Sequence, residues 1–304
     1  MSQPVSKGPR SAFVAIVGRP SAGKSTLLNA LCGEKVAIVS PVPQTTRNRI
    51  RGIVNREAGQ LVFVDTPGFH ESTRTFNRHM RGLIDEAIRD SEEVLYVVDG
   101  SRPPGDEELS LIETVGRASS MPRVVALNKI DIAAPSRIEE TRLLLAHRLP
   151  DVPVVELSAL KAEGIEPLVE ELLRSAPEGE PAYPSDFYTD QPPEFRVSEI
   201  IREKALQGLR EELPHSIYVQ VEDMEVQELD AGGERLWIRA FIFVERPSQQ
   251  GMIVGAKGSG IKRIRQSAQK EIAALFPYRI YLDLRVKVDP KWRRNDAVLE
   301  RLVR

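Results

Sequence analysis

The stretch GRPSAGKST, Gly18 to Thr26, follows directly on the apolar run AFVAIVG and leads into a helical segment. Its residues fit the spacing G-x-x-x-x-G-K-[ST]. Such a loop works at one place only, between the end of a strand and the start of a helix. There glycines let backbone N–H groups wrap an anion and the helix N-terminus adds favourable potential. The runs LVFVDT, VLYVVDG, RVVALNK and VPVVELS resemble AFVAIVG in being almost wholly apolar, as strands buried on both faces should be. Helical patterns such as DEELSLIETVGRA and SRIEETRLLLAHRL alternate with them. That alternation predicts an α/β domain with a mostly parallel sheet and helices on both faces.

The pattern stops at SAPEGEPAYPSDFYTDQPP, residues 175–193, where five of nineteen residues are proline. Beyond it the order is helix, strand, strand, glycine loop, helix and strand, with a last helix expected from Lys291. A chain of 304 residues is comfortable for two cores. The expected division is a first domain over 1–178 with a short tail at 1–10, a linker over 179–194, and a smaller α+β domain over 195–304. No run of eighteen apolar residues exists to span a membrane, and MSQPVSKGPRSAF has no apolar signal core. A single cysteine, Cys32, excludes an internal disulfide and a cysteine metal cluster, and reads as a small buried residue. A cytoplasmic location is expected. Net charge is −2, yet residues 251–304 carry thirteen Lys and Arg against five Asp and Glu. That basic end fits a polyanionic partner and a solvated face equally well.

Four motifs define the chemistry. In the loop, Gly18, Arg19, Pro20, Ser21, Ala22, Gly23, Lys24, Ser25 and Thr26 would enclose phosphates, with Lys24 bridging β and γ and the Ser25 hydroxyl on Mg²⁺. In DTPG, Asp65 can hold Mg²⁺ through water and Gly68 can offer its N–H to a γ-phosphate. In NKID, Asp131 can accept from guanine N1–H and the 2-amino group, which adenine cannot supply. Lys129 can lie along that base and Asn128 can bind its N7 edge. In SAL (Ser158, Ala159, Leu160) the Ala159 backbone can meet guanine O6. Each motif lies at the C-terminal end of a strand, where α/β ligands bind.

In this set and in SPVPQTTRNRIRGI the chain resembles the translation-factor-like GTPases, and within them the Era family, which pairs a GTPase domain with an RNA-binding domain. The resemblance implies GTP and GDP as ligands. It implies that Thr46, or else Thr45, closes on Mg²⁺ and the γ-phosphate in the GTP state, making Lys24, Thr46 and Gly68 the catalytic set and Ser25, Thr46 and Asp65 the metal set. Phe69 stands where Ras-like enzymes carry the glutamine that orients water, so slow intrinsic hydrolysis is expected. Ser21 replaces an asparagine linked to K⁺ use in many relatives, which leaves K⁺ dependence open. His70 and His79 receive no role.

GAKGSG, residues 255–260, is a near miss for a second nucleotide loop: Ile261 stands where lysine is needed. The dinucleotide pattern fails as well, at Arg263. What fits is G-x-x-G, Gly255-Ala256-Lys257-Gly258, in an α-β-β-α-α-β order, the loop that clamps single-stranded backbone in KH domains. Lys262, Arg263, Arg265 and Lys270 follow it, and Ile253, Val254, Ile261 and Ile264 are candidate apolar surface for bases. Trp237 and Trp292 read as packing residues. With ELPHSIYV and VKVDPKWRRN the resemblance extends to a type II KH domain over roughly residues 10–300. It implies as partner the 3′ end of small-subunit (16S) ribosomal RNA, a role in 30S assembly, a monomer, and peripheral contact with the inner face of the membrane. The rival is a regulatory GTPase whose C-terminal domain docks on protein or membrane. Salt-sensitive binding to single-stranded RNA separates the two. An RNA-modifying enzyme lacks a second set of catalytic residues.

Overall fold

The computed structural model describes residues 8–39, 50–65, 86–207, 217–230, 232–290 and 292. The chain divides into two compact units, Met1–Asp190 and Gln191–Arg304.

The first unit is built on a six-stranded sheet. Its strands are β1 (Arg10–Gly18), β2 (Ile50–Arg56), β3 (Gly59–Asp65), β4 (Glu93–Asp99), β5 (Arg123–Asn128) and β6 (Val154–Glu156), in the order β2-β3-β1-β4-β5-β6. All pairings are parallel except β2 with β3. The five apolar runs fall on β1 and β3 to β6 as expected. β2 was not among them, because IRGIVNR carries two arginines and pairs only at the sheet's edge. Helices α1 (Lys24–Cys32) and α4 (Ile165–Ser175) cover one face, where Leu27, Leu28, Leu168 and Leu172 meet Val14 and Ile16. On the other, α2 (Asp106–Arg117) and α3 (Pro135–Arg148) bring Leu111, Val115 and Leu145 against Val17 and Tyr96. The five parallel strands, buried on both sides, put their C-termini on one rim. Cys32 ends α1 half-buried, and burial pushes its thiol up to about 12, consistent with an inert thiol.

Glu93 opens β4 fully buried, and neither carboxylate oxygen has a hydrogen-bond donor among the described residues. Burial pushes it up to about 7. Ser175 pulls the other way without overcoming burial, and its hydroxyl also lies 3.3 and 3.2 Å from Glu171 O and Leu172 O. A carboxyl raised on folding contributes stability that is present below its ordinary 4.5 and lost as pH climbs through 7. Glu93→Gln should therefore stabilise the protein by roughly 2 kcal/mol at pH 8 and have little effect at pH 4. Thermal melts at both pH values check this.

Residues 179–190, read as part of a linker, lie along the open edge of β2. Tyr183 N and O bond the Gln60 amide at 3.0 and 2.8 Å. Ile53 N donates to Tyr188 O at 3.0 Å, and Thr189 Oγ1 to Arg51 O at 2.8 Å. The strap ends in a clasp, with Asp190 accepting from Arg51 Nη1 at 2.7 Å and from Tyr183 OH at 2.9 Å. It caps backbone groups that an edge strand would otherwise leave open. Proline content signals an irregular path and not a loose one. A cleft of about 620 Å³ between the strap and the β2–β3 turn, lined by Pro9, Arg56 and Tyr183 among others, lies at the sheet end opposite the phosphate loop.

The second unit follows the expected order: α5 (Pro193–Leu206), β7 (Tyr218–Glu228), β8 (Glu234–Val244), α6 (Pro247–Val254), α7 (Ser259–Ile272) and β9 (Arg279–Val288). The sheet order is β7-β8-β9, antiparallel then parallel. Buried Leu236, Ile238, Ala240 and Ile242 alternate along β8 with half-buried Arg235, Trp237 and Arg239, marking the side the helices cover. Trp292 is buried against Tyr218, 5.0 Å between ring centroids, as a packing residue should be. The helix expected from Lys291 lies outside the described residues, Trp292 apart. No described helix is long and apolar enough to cross a membrane.

Candidate nucleotide and RNA sites

The phosphate loop joins β1 to α1 as its spacing demands. Gly23 takes φ 98° at the N-cap of α1. A Cβ there would lie 2.3 Å from Asn128 Nδ2, so glycine is required for the loop to close on the base-binding strand. Lys24 is buried, and Nζ donates to Gly18 O and Arg19 O at 3.0 Å each, which draws the ammonium across the loop. Burial lowers its pKa to about 8, opposed by the negative charge of Asp65 and Glu108. Ser25 Oγ donates to Asp65 Oδ2 at 2.7 Å, so two of the three residues expected to hold Mg²⁺ are adjacent. A hydroxyl and a buried carboxylate are the oxygen donors a hard cation takes, and the pair fits Mg²⁺. Thr26 lies in the first turn of α1. Thr45, Thr46, Gly68, Phe69, His70 and His79 lie outside the described residues.

The base end is tied together by Asn128, the last residue of β5. Its Nδ2 donates to Ala22 O at 2.9 Å, and its Oδ1 accepts from Lys129 N at 2.8 Å and Ala159 N at 2.9 Å. One buried amide thus joins NKID, SAL and the phosphate loop. Its engagement in this frame makes it an organiser of the base rim. Lys129, at φ 66°, donates through Nζ to Ser21 O and Asp99 Oδ2, both at 2.7 Å. Ser158 Oγ donates to Asp131 Oδ1 at 2.8 Å, orienting the carboxylate expected to read guanine. Ala159 is buried with its N–H on Asn128, and Leu160 beside it is 80% exposed. Asp99 was missed by sequence reading. Burial works to raise its carboxyl, but Lys129 and Ser101 outweigh that and hold it below its ordinary value. Its position at the C-terminal end of β4, level with the other motifs, is the signal that could have found it.

In the second unit α6 ends at Val254, and Gly255 (φ 72°), Lys257 (φ 50°) and Gly258 (φ 79°) form the turn into α7. A Cβ on Gly255 would lie 2.8 Å from Gly260 N, and one on Gly260 would lie 2.4 Å from Ile253 O. These glycines let the two helices meet. At Gly258 a Cβ would meet nothing within 4 Å, so this point of the loop is open to a ligand. Ala256 and Lys257 at the turn, and Lys262, Arg263, Arg265 and Lys270 along α7, are all exposed. Contrary to the sequence expectation, Ile253 and Ile264 are not surface for bases but core residues, 1% and 4% exposed. Helical periodicity makes them apolar, but the sheet takes that face. Exposed Met252 beside the turn, which the sequence reading passed over, and half-buried Val254 and Ile261 are what remains.

The rim of oxygen donors, phosphate loop and base clamp defines a phosphate-loop GTPase domain, and the second unit is a KH domain. A family model described as a 50S ribosome-binding GTPase matches residues 13–129, and a KH domain model matches residues 212–293. GTPase Era of Treponema denticola is 44% identical over 295 residues, 96% of this chain and 99% of that protein. GTPase Era of Borreliella afzelii is 43% identical over 97% of this chain and 99% of its own. Among solved structures, a point variant of Aquifex aeolicus Era bound to GDP·AlF₄⁻ matches with TM-score 0.88 at 34% identity, covering 96% of this chain and 98% of that one. Era in complex with MgGDPNP and nucleotides 1506–1542 of 16S ribosomal RNA matches with TM-score 0.89 at 34% identity, with the same coverage. The chain belongs to the GTPase Era family.

Proposed function

We propose that this protein binds GTP and GDP, hydrolyses GTP slowly, and binds the 3′ end of small-subunit ribosomal RNA through its KH domain during 30S assembly, as a monomer. The observation that carries this reading is the co-occurrence, in one chain, of a guanine-reading rim and a G-x-x-G turn open at Gly258. The whole-length relative that holds MgGDPNP and 16S nucleotides supports it. The large subunit in the name of the GTPase family model belongs to a model that stops at residue 129 and does not reach the second unit.

Lys24 would leave its loop carbonyls for the β- and γ-phosphates. Ser25 and Asp65 would hold Mg²⁺, which when bound neutralises charge developing on the transferred phosphoryl group. Asp131 would accept from the guanine edge while Ser158 keeps the carboxylate aligned. Ser21 gives its carbonyl to Lys129, and no residue is assigned to K⁺. In the second unit phosphates would approach Gly258 and the N-terminus of α7, with Lys257, Lys262, Arg263 and Arg265 supplying charge.

The test is binding of RNA matching 16S nucleotides 1506–1542 to the full chain, titrated from about 50 to about 200 mM salt. A steep loss of affinity with salt and discrimination against a scrambled RNA are expected. Binding absent in every nucleotide state would return the G-x-x-G segment to a structural turn and favour the protein- or membrane-docking reading.

Coupling between nucleotide and RNA would run through the strap. β2 begins at Ile50 opposite Asp65, and the next residue, Arg51, holds Asp190 just before the second unit begins. Asp190→Ala should leave GDP affinity within about twofold of wild type, because Asp190 lies outside the site. It should also shrink any difference in RNA affinity between GTP-analogue and GDP states toward zero, since a ligand shifts an equilibrium only by differential binding. Anisotropy titrations in both nucleotides check this, and an undiminished difference would remove the strap from the coupling path.

A further inference from the structure

The first turn of α2 reads Asp106-Glu107-Glu108, three acids where a helix dipole favours them and solvent usually covers them. Asp106 is exposed, but Glu108 is 1% exposed. A buried carboxylate is tolerated only with partners. Glu108 has two. Tyr96 of β4, fully buried, donates its hydroxyl to Oε1, and Arg19 of the phosphate loop sets Nε in ion-pair contact with Oε2, an oxygen that makes no hydrogen bond among the described residues. Burial raises this carboxyl above its ordinary value, and the Tyr96 hydroxyl and Arg19 only partly offset that. Arg19 in turn lends its carbonyl to Lys24 Nζ at 3.0 Å. A line of contacts therefore runs from β4 through α2 into the loop and on to the lysine that serves the phosphates.

The loop needs such a restraint. It carries glycines at 18 and 23, and Ser21 sits at φ 62°, a conformation that non-glycine residues seldom hold unaided. We propose that Glu108 is a positioning residue for the nucleotide phosphates: it anchors the phosphate loop through Arg19, whose positive charge neutralises this buried carboxylate and does not bind phosphate. Tyr96 fixes the carboxylate's orientation. The inference rests on the nucleotide-binding reading above and adds two residues, Tyr96 and Glu108, that lie in none of the sequence motifs. The rival role for Arg19 is direct phosphate contact, because its Nη2 is buried without a hydrogen-bond partner among the described residues.

The two roles predict opposite behaviour in a double mutant. If Arg19 serves Glu108, Arg19→Met leaves a carboxylate beside the bound phosphates, and the affinity of the full chain for a fluorescent GDP should fall about tenfold at pH 8 with Mg²⁺ present. Adding Glu108→Gln removes that carboxylate's charge and should bring affinity back within about threefold of wild type. In steady-state hydrolysis Arg19→Met should raise KM by more than it lowers kcat, and adding Glu108→Gln should restore KM. Equal weakness of the single and double variants would overturn the proposal in favour of phosphate contact. A lower melting temperature with unchanged GDP affinity would overturn it in favour of a purely structural pair. Should Arg19→Met fail to fold, Tyr96→Phe tests the same line. It should weaken GDP about threefold alone and have no effect in the Glu108→Gln background, and an effect undiminished there would overturn the proposal. Wild-type protein that binds no guanine nucleotide would instead refute the underlying reading, which keeps the two failures distinct.

Discussion

Asp131→Asn should lower affinity for GTP by about 10³-fold and transfer preference to xanthosine triphosphate. Guanine offers two donors, N1–H and the 2-amino group, to the two oxygens of one carboxylate. An amide in that place accepts one and turns its own N–H₂ toward the other, so donor faces donor. A site built to hydrogen-bond a ligand's polar group discriminates strongly when that match is lost. Xanthine carries a carbonyl at the second position and restores it. The fold should be indifferent, because the amide is the same size and its oxygen can still accept from Ser158 Oγ, now at 2.8 Å from the carboxylate. Competition of GTP and XTP against a fluorescent nucleotide measures both sides of the exchange. GTP affinity within about tenfold of wild type would mean that guanine is not read at Asp131.

Gly258→Asp should reduce RNA affinity by at least about 100-fold, leave GDP binding unchanged and lower the melting temperature only slightly, through the strain of a side chain at φ 79°. A Cβ at this position meets nothing within 4 Å, and aspartate is among the few residues that tolerate a φ of 79°. The carboxylate would stand at the start of α7, where the helix dipole favours it. The same charge would face the phosphates that the G-x-x-G turn is expected to clamp, with like-charge repulsion replacing close backbone approach. Gly260→Ala supplies the contrast. Its Cβ would lie 2.4 Å from Ile253 O, so any loss of RNA binding there should come with a fall in the KH domain's stability. Anisotropy with RNA, nucleotide titration and thermal melts on both variants separate an effect on the ligand from an effect on the fold. Unimpaired RNA binding by a folded Gly258→Asp variant would place the RNA elsewhere.

Both positions are recognisable in the same way. Asp131 and Gly258 stand in local motifs whose spacing carries the chemistry, so both were readable before any fold was known. The order of elements was readable for the same reason. Strands buried on both faces are apolar throughout, and amphipathic helices repeat with their own period. The edge strand β2 escaped because half of its surroundings are solvent and its arginines disguise it. Ile253 and Ile264 escaped differently. Their apolar character was evident, but periodicity cannot say whether an apolar face lines a groove or lies under a sheet.

The residues alone determined that the chain would carry a strand–loop–helix phosphate cradle, a guanine-reading set on one rim, and a glycine turn between two helices of a second domain. Those features depend on neighbours within a few positions, and short-range sequence records them. Only the tertiary structure decided that Glu108 is buried on Arg19 and Tyr96, that Asp99 holds Lys129, that Asn128 ties the motifs into one frame, and that residues 183–190 strap the edge of β2. Each of these contacts joins segments that are distant along the chain, in some cases by more than a hundred residues, as with Asn128 and Ala22. A charged or polar side chain reads locally as a solvated one. Whether it is instead desolvated and paired depends on what the fold places opposite it, and that is set by long-range packing.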